Sequence, residues 1–282
     1  MKHIESVAEM KAVCREITRS GRTLGFVPTM GALHEGHASL VRASKAQCQA
    51  TVVSIFVNPL QFGPTEDLDK YPRAMERDSK LLQELGVDVL YAPTAGEMYP
   101  PGATTYVEVS GISDRLDGAS RPGHFRGVAT VVAKLFEIVR PDRAFFGQKD
   151  AAQVAVLRRM VRDLDMDVEV VVCPIVREKD GLAMSSRNAY LNPTERKQAL
   201  VLNRSLMRVQ FEADAGERDT SKLIETGKSV IAEEPGARLD YFAIVDPDTL
   251  EPASDVSRPA LVAVAAYVGA TRLIDNILLA PR

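Results

Sequence analysis

The chain has 282 residues, 45% hydrophobic and 26% charged, with a net charge of −3 and a pI near 5.9. That length allows one large core or two modest ones. The slightly acidic balance lacks the basic excess of a nucleic-acid-binding surface, while leaving room for a local basic pocket.

The first residues, "MKHIESVAEMK", have no apolar core like that of a signal peptide. No apolar run anywhere approaches the roughly 20 residues that span a bilayer. "TLGFV" (23–27) reads as a short strand, and the spacing of Ala38, Leu40, Val41 and Ala43 predicts a helix from Gly36 to about Gln47. "TVVSIFVN" is β-branched and almost wholly apolar, as a strand buried on both faces would be. "PRAMERDSKLLQELG" predicts a helix with Pro72 near its start and Gly86 past its end, and "VDVLYAP" a further strand.

After an irregular stretch at 93–104, "FRGVATVVAKLFEIV" is helical, "DRAFFG" a strand, "DAAQVAVLRRMVRDLD" a helix and "VEVVVCPIV" a strand. This alternation predicts an α/β fold with a doubly wound, Rossmann-like parallel sheet, whose ligands bind at the carboxyl ends of the strands. The final third changes character. "NPTERKQALVLNRSLMRVQFEA" predicts one long helix with Asn192 as cap and Pro193 at its first position, and a second runs from about Thr220 to Glu233. "RLDYFAIVD", "PALVAVAAYVG" and "TRLIDNILL" follow as strands, the last two joined by a short Gly-Ala hairpin connection. The expected division is a Rossmann-like domain over 1–176 and a smaller α+β lid domain over 177–282, made of two helices and an antiparallel sheet.

Cys14, Cys48 and Cys173 are far apart and form no Cys-x-x-Cys pair, which argues against a disulfide framework or a zinc knuckle. The expectation is a soluble cytoplasmic protein that binds neither membrane nor nucleic acid.

Histidine is scarce, with four in the chain, yet His34 and His37 share the loop "PTMGALHEGH" between a strand and a helix. Backbone N–H groups at a helix start carry positive partial charge and form a natural phosphate site. Gly31 and Gly36 let the backbone approach a ligand. An imidazole beside that end can donate to a phosphate oxygen. A zinc pair is the alternative, but a third ligand is hard to find, since His3 and His124 are remote in sequence. The spacing His-x-Gly-His resembles the signature of nucleotidyltransferases and class I tRNA synthetases, which needs a second half. "DGLAMSSRN" offers one: Ser185 and Ser186 supply hydroxyls and Arg187 a fixed fork of donors suited to phosphate. In "FFGQKD", Lys149 can place a compact charge near the phosphates and Asp150 can cap the following helix. Asn58, Gln61 and Gln153 are neutral amides that suit a ligand bearing hydroxyls and a carboxylate. Phe62 and Met30 offer an apolar wall.

Together "PTMGALHEGH", "FVNPLQFGPTEDLDKYPR", "GHFRGVATVVAKLF", "PDRAFFGQKD" and "VREKDGLAMSSRNAYL" resemble the pantothenate synthetase (pantoate–β-alanine ligase) family. The match is dense over residues 25–192 and extends to the last third mainly in size and element order. The resemblance implies that ATP and (R)-pantoate form pantoyl adenylate and pyrophosphate, with Mg²⁺ on the phosphates, and that β-alanine then yields pantothenate and AMP. It implies that His34 and His37 contact the phosphates, with His37 as proton donor. Lys149, Ser185, Ser186 and Arg187 hold the phosphates and the charge that develops on them. Pro28, Thr29, Met30, Gly31, Gly36, Gly147, Asp150, Val176 and Met184 join the ATP site. Gln61 and Gln153 bind pantoate with Asn58 nearby, and β-alanine enters near Gln61. It also implies a homodimer built through the N-terminal domain.

Two departures stand out. Many members have Glu where Gln148 stands, and several carry paired carboxylates where this chain has Arg77-Asp78. No protein-borne metal site is therefore assigned, and Mg²⁺ is expected to ride on ATP and its waters. The alternatives are another adenylyl- or cytidylyltransferase of the same superfamily, which would want more basic residues around Gln61, and a non-catalytic nucleotide-binding protein.

Overall fold

Six parallel strands form the main sheet: β1 (Lys2–Ile4), β2 (Leu24–Thr29), β3 (Ala50–Ile55), β4 (Val89–Tyr91), β5 (Arg143–Gly147) and β6 (Glu169–Cys173). They lie side by side in the order β1-β4-β3-β2-β5-β6. The computed structural model describes residues 1–64 and 66–280; Pro281 and Arg282, the end of the expected second domain, lie outside the described residues. Helices α1 (Val7–Arg19), α2 (Glu35–Gln47), α3 (Met75–Glu84), α4 (Ala95–Met98), α5 (Asp117–Ser120), α6 (His124–Val139) and α7 (Ala151–Asp163) connect the strands.

Alternation along the central strands explains the layering. Phe26, Val52, Ala144 and Phe146 face a core shared with α1, α6 and α7, whereas Val27, Val53 and Phe145 face a second core with α2 and α3. The sheet is therefore covered on both faces, as a buried parallel sheet must be. β6 stops at Cys173 because Pro174 has no N–H for the ladder. β1 and α1 add to the elements expected from the sequence pattern. β1 is a three-residue edge strand, but α1 carries a plain start signal: the Ser6 hydroxyl accepts from Glu9 N.

The second unit contains α8 (Pro193–Gln198), α9 (Leu200–Asp214), α10 (Thr220–Ala232) and the antiparallel sheet β7 (Ala237–Val245), β8 (Ala260–Val268) and β9 (Thr271–Leu279). The expected single long helix is two. At Ala199 the backbone tightens, and Leu202 N reaches the carbonyl three residues back at 3.3 Å instead of four back. Its apolar spacing continues across the break, so the periodicity holds no sign of it. The unit has its own core, running from Leu182 to Leu279, yet Val245, Leu250, Leu261 and Ala263 pack into the core of the main sheet. Ion pairs also cross between the units. Arg272 of β9 donates to Asp117 at 2.7 Å and to Asp240 of its own sheet at 2.8 Å, and Arg115 meets Glu251 at 3.1 Å.

Between β2 and β5 the strand order reverses: the chain winds outward through β3 on one side and β6 on the other. The crevice at the carboxyl ends of this strand pair is where such sheets bind ligands. The loops after β2 and β5 are those that carry the histidine pair and Lys149.

Candidate active site

The loop after β2 is built to hold two imidazoles. Thr29 Oγ1 donates to Ser54 O at 2.7 Å and accepts from Gly31 N at 3.2 Å, which starts the turn. Gly31 takes φ +85°, a conformation that favours glycine. Two residues of α3 then grip the Leu33 peptide from both sides. Asp78 Oδ1 accepts its N–H at 2.9 Å, and Arg77 Nη2 donates to its carbonyl at 3.0 Å. Arg77 and Asp78 thus brace the histidine loop.

His34 caps α2, with Nδ1 accepting from Gly36 N at 3.1 Å, while His37 Nδ1 accepts from His34 N at 3.3 Å. A Cβ on Gly36 would stand 2.8 Å from His34 Cε1, so only glycine leaves room for that ring. Because each Nδ1 is an acceptor, the ring proton of each neutral imidazole sits on Nε2. Burial, reinforced by Lys149, lowers the His34 pKa to about 4. Burial, reinforced by His34, lowers that of His37 to about 3. At neutral pH the pair therefore offers two Nε2–H hydrogen-bond donors and no charge. His37 Nε2–H is thus available to donate to an oxygen in the cavity.

Lys149 follows β5 in the turn at 148–150. It is mostly buried, and its Nζ lies 3.7 Å from Asp150. The third segment is a hairpin after β6, closed by Met184 N to Val176 O at 3.0 Å. Ser185 Oγ accepts from Arg187 N at 3.2 Å, and Ser186 Oγ lies 3.3 Å from Tyr71 OH. Arg187 places two parallel bonds on Asp67, at 3.0 and 2.9 Å, with its guanidinium 5.9 Å from the Tyr71 ring centre. Burial pushes the Asp67 carboxyl up, but Arg187 outweighs it and holds the group below the usual carboxylate range. The hairpin is also tied to α8: Arg196 bonds Glu178 and Asp180, and Glu178 in turn holds Asn188.

The amides Asn58 and Gln61 follow β3. Gln61 donates to Met30 Sδ at 3.1 Å and accepts from Asn58 Nδ2 at 3.1 Å. Asn58 is 1% exposed and saturated, with Nδ2 on Gln61 and Gly127 O and Oδ1 accepting from Tyr99 OH and Leu60 N. Its amide thus orients Gln61 and has no group left for a ligand.

Every site residue expected from the sequence, apart from Gly31, lines one cavity of about 230 Å³. Gly31 is buried beneath the loop, against Ile55 and Asp78. A neighbouring cavity of about 740 Å³ opens between the two units and shares Lys149, Gln153, Ser185 and Arg187 with the first. The smaller cavity alone falls below the usual range for ligand pockets, and the two together reach it.

The structure adds residues that the sequence reading does not assign. His124, remote in sequence, lies at the meeting of the two cavities. Arg121 Nη1 is 3.0 Å from its Nε2 and can only donate, so His124 Nδ1 carries the proton and donates to Gln61 O at 2.8 Å. Arg121 is held in turn by Glu66 at 2.6 and 2.7 Å. Burial, then Arg121, lowers the His124 pKa to about 4. Arg121, Tyr71 and Asp67 are further additions. Two signals were available: histidine is scarce, and "EDLDKY" closely follows the Gln61 stretch. Among the described residues no three His, Cys, Asp or Glu side chains converge to hold a metal.

A family model described as pantoate-beta-alanine ligase matches residues 2–278. The chain is 64% identical over 290 residues to the pantothenate synthetase of Acidobacterium capsulatum, covering 99% of this chain and 97% of the relative. It is 61% identical over 279 residues to that of Koribacter versatilis, covering 99% and 96%. Among solved structures, pantothenate synthetase from Thermus thermophilus matches with TM-score 0.95 and 50% identity over the whole of both chains. Pantoate-beta-alanine ligase from Francisella tularensis, complexed with beta-gamma ATP and beta-alanine, matches with TM-score 0.82 and 34% identity, covering 99% and 97%.

Proposed function

The chain belongs to the pantoate–β-alanine ligase family, and from that premise we propose how its cleft divides the work of joining pantoate to β-alanine with ATP. The reaction has two steps. A pantoate carboxylate oxygen attacks the α-phosphorus of ATP, the bond to the bridging oxygen breaks, and pyrophosphate leaves. The neutral β-alanine amine then attacks the acyl carbon of pantoyl adenylate, AMP leaves with the electron pair of the broken C–O bond, and the nitrogen gives up one proton to the departing phosphate or to water.

The first step joins two anions, so the site must supply donors and positive charge where charge grows. The convergence of His34, His37, Lys149, Ser185, Ser186 and Arg187 on one cavity at the sheet's switch point carries this reading. The neutral imidazoles donate from Nε2 to phosphate oxygens at the start of α2, where the helix also favours anions. Lys149 supplies a point charge and Arg187 a fork. No general base is needed, because the pantoate carboxylate is already ionised. Pro28, Thr29, Met30, Gly36, Gly147, Asp150, Val176 and Met184 shape the nucleotide wall, and Gln61 with Gln153 binds pantoate. Asn58 acts through Gln61. The hairpin at 177–187, tied to α8 by Arg196, serves as the lid that keeps water from the adenylate. Its junction with the smaller unit sets the proposed domain boundary at 176/177.

Mg²⁺ travels with the nucleotide. It binds through phosphates, one or two carboxylates and waters more often than in an all-protein cage, and the chain's residues form no such cage among those described. When bound it screens phosphate charge. A homodimer and a cytoplasmic location complete the proposal. The latter is supported by three free cysteines and by described helices too short or too polar to cross a membrane.

The test is pantoate-dependent release of pyrophosphate from ATP, with AMP and the amide formed only after β-alanine is added. Release with another acid and none with pantoate would remove the reading.

A further inference from the structure

Strand β9 carries Arg272, Asp275 and Asn276 among apolar residues, and the last two are each 3% exposed. Asp275 accepts two bonds from Arg177, at 2.6 and 2.9 Å, where the lid hairpin begins. Its neighbour reaches the other phosphate-facing segment. Asn276 Nδ2 donates to Gln148 O at 3.0 Å and to Lys149 O at 2.9 Å, and its Oδ1 accepts from Gln148 Nε2 at 3.0 Å. The two carbonyls can only accept, so they fix which way the amide points. Every polar atom of the side chain is engaged with the turn that carries Lys149, and Gln148 uses its amide here, not in the cavity.

We propose that Asn276 is a positioning residue for Lys149, setting the backbone height from which the ammonium reaches the phosphates. The inference rests on the reading that Lys149 acts on those phosphates. Lysine has a flexible stem and no fixed fork, so its charge is placed only as well as its backbone. The turn at 148–150 is a single 3₁₀ turn, a form that makes fewer and poorer internal hydrogen bonds than an α-helix. An external donor to two of its carbonyls supplies the rigidity the turn lacks. Since Asp275 holds the lid hairpin from the same strand, β9 sets the spacing between Lys149 and the Ser185–Arg187 segment. A small error in that spacing is costly, because a misplacement of about 1 Å can cost a hundredfold in rate.

Two substitutions test this. Asn276→Ala removes the donor, and Asn276→Asp keeps the size but turns an acceptor towards two carbonyl oxygens. Each should lower kcat for pantoate-dependent pyrophosphate release by about tenfold or more, with KM for pantoate within about twofold, measured at a temperature where the variant is folded; Asn276→Asp, which buries a carboxylate against two carbonyl oxygens, should lose more stability than Asn276→Ala. In a Lys149→Ala background, Asn276→Ala should cost less than about twofold further, because the group it positions is gone. Gln148→Ala, which leaves both carbonyl bonds in place, should stay within about twofold of wild type. If either Asn276 variant fails to fold, Asn276→Ser, which keeps one donor, is measured in its place. Equal fold-losses with and without Lys149, or no loss in the wild-type background, overturn the proposal. Wild-type turnover in Lys149→Ala alone removes the Lys149 reading and this inference with it.

Discussion

The imidazoles of His34 and His37 lie 4.2 Å apart, centre to centre, and each is pinned at Nδ1 by a backbone N–H of the same helix start. The capping box that begins α2 and the pair that faces the cavity are thus the same two side chains. A change at either position acts on fold and chemistry together, and the two effects can be separated by magnitude. His37→Ala should lose about 2.7–4 kcal/mol of transition-state stabilisation, by analogy with the loss of one oxyanion donor. Loss of a cap costs only about 0.5–2 kcal/mol of stability. Single-turnover pyrophosphate release and urea unfolding of the same variant measure the two terms. Near-wild-type turnover would remove His37 from the proposed machinery.

The same pinning fixes the response to pH. Both histidines have folded-state pKa values lowered from 6.5, to about 4 and about 3, chiefly by burial. Below pH 6.5 the unfolded chain binds protons that the folded site refuses. Their contribution to stability is therefore complete above pH 6.5 and is lost progressively as pH falls towards the folded values. Ring resonances of the two histidines should not titrate between about pH 8 and 5, and the fall in stability below the ordinary histidine range should be shallower in His34→Asn. A ring titrating near its ordinary value would contradict the neutral Nε2–H assignment.

Gln61 is expected to read pantoate and not nucleotide. Its side chain is held between Asn58 Nδ2 and Met30 Sδ. Gln61→Ala should raise KM for pantoate by about tenfold, the scale of one hydrogen bond to a charged group, and KM for ATP by far less. Asn58→Ala should show the same preference through loss of Gln61's orientation. Equal effects on both substrates would count against a pantoate role for the pair.

Much of this was legible beforehand, for identifiable reasons. The β2 to α2 segment could be read because strand, glycines and paired histidines are adjacent in the chain. The parallel sheet could be read because buried strands are continuous apolar runs. The break at Ala199 could not, since helix periodicity runs through it unchanged. Arg121, His124 and Asp67 were hidden for another reason. Their partners Glu66, Gln61 and Arg187 are 55, 63 and 120 residues away, and no local pattern encodes a contact of that kind. The Arg77-Asp78 pair shows the converse: the sequence flags it as unusual for a metal role, and only the fold shows it gripping the Leu33 peptide.

The pair between Arg187 and Asp67 gives the last prediction. Both side chains are about a quarter exposed, at 28% and 23%, so solvent screens the pair only in part. Asp67 also accepts from Tyr190 OH at 3.5 Å, so one carboxylate tethers the hairpin at two points. Asp67→Asn keeps the size but replaces one acceptor with an NH₂ group facing a guanidinium. The hairpin then loses the paired bonds of Arg187 to the 66–71 turn while keeping Ser186 against Tyr71 and Arg196 on its other side. Amide exchange in residues 183–190 should accelerate by about tenfold, corresponding to about 1.4 kcal/mol of lost local protection. Exchange in β2 and β3 should not change. KM for ATP should rise with it, because a loosened fork must be reordered each time it meets a phosphate. The depressed Asp67 pKa sets the sign with pH: the tether is complete above the ordinary carboxylate range and is lost only as pH falls through the lower folded value. Unchanged exchange in the hairpin of Asp67→Asn would show that the Arg187 pair is no tether and that the lid is held by its other contacts, Arg177 on Asp275 and Arg196 on Glu178 among them.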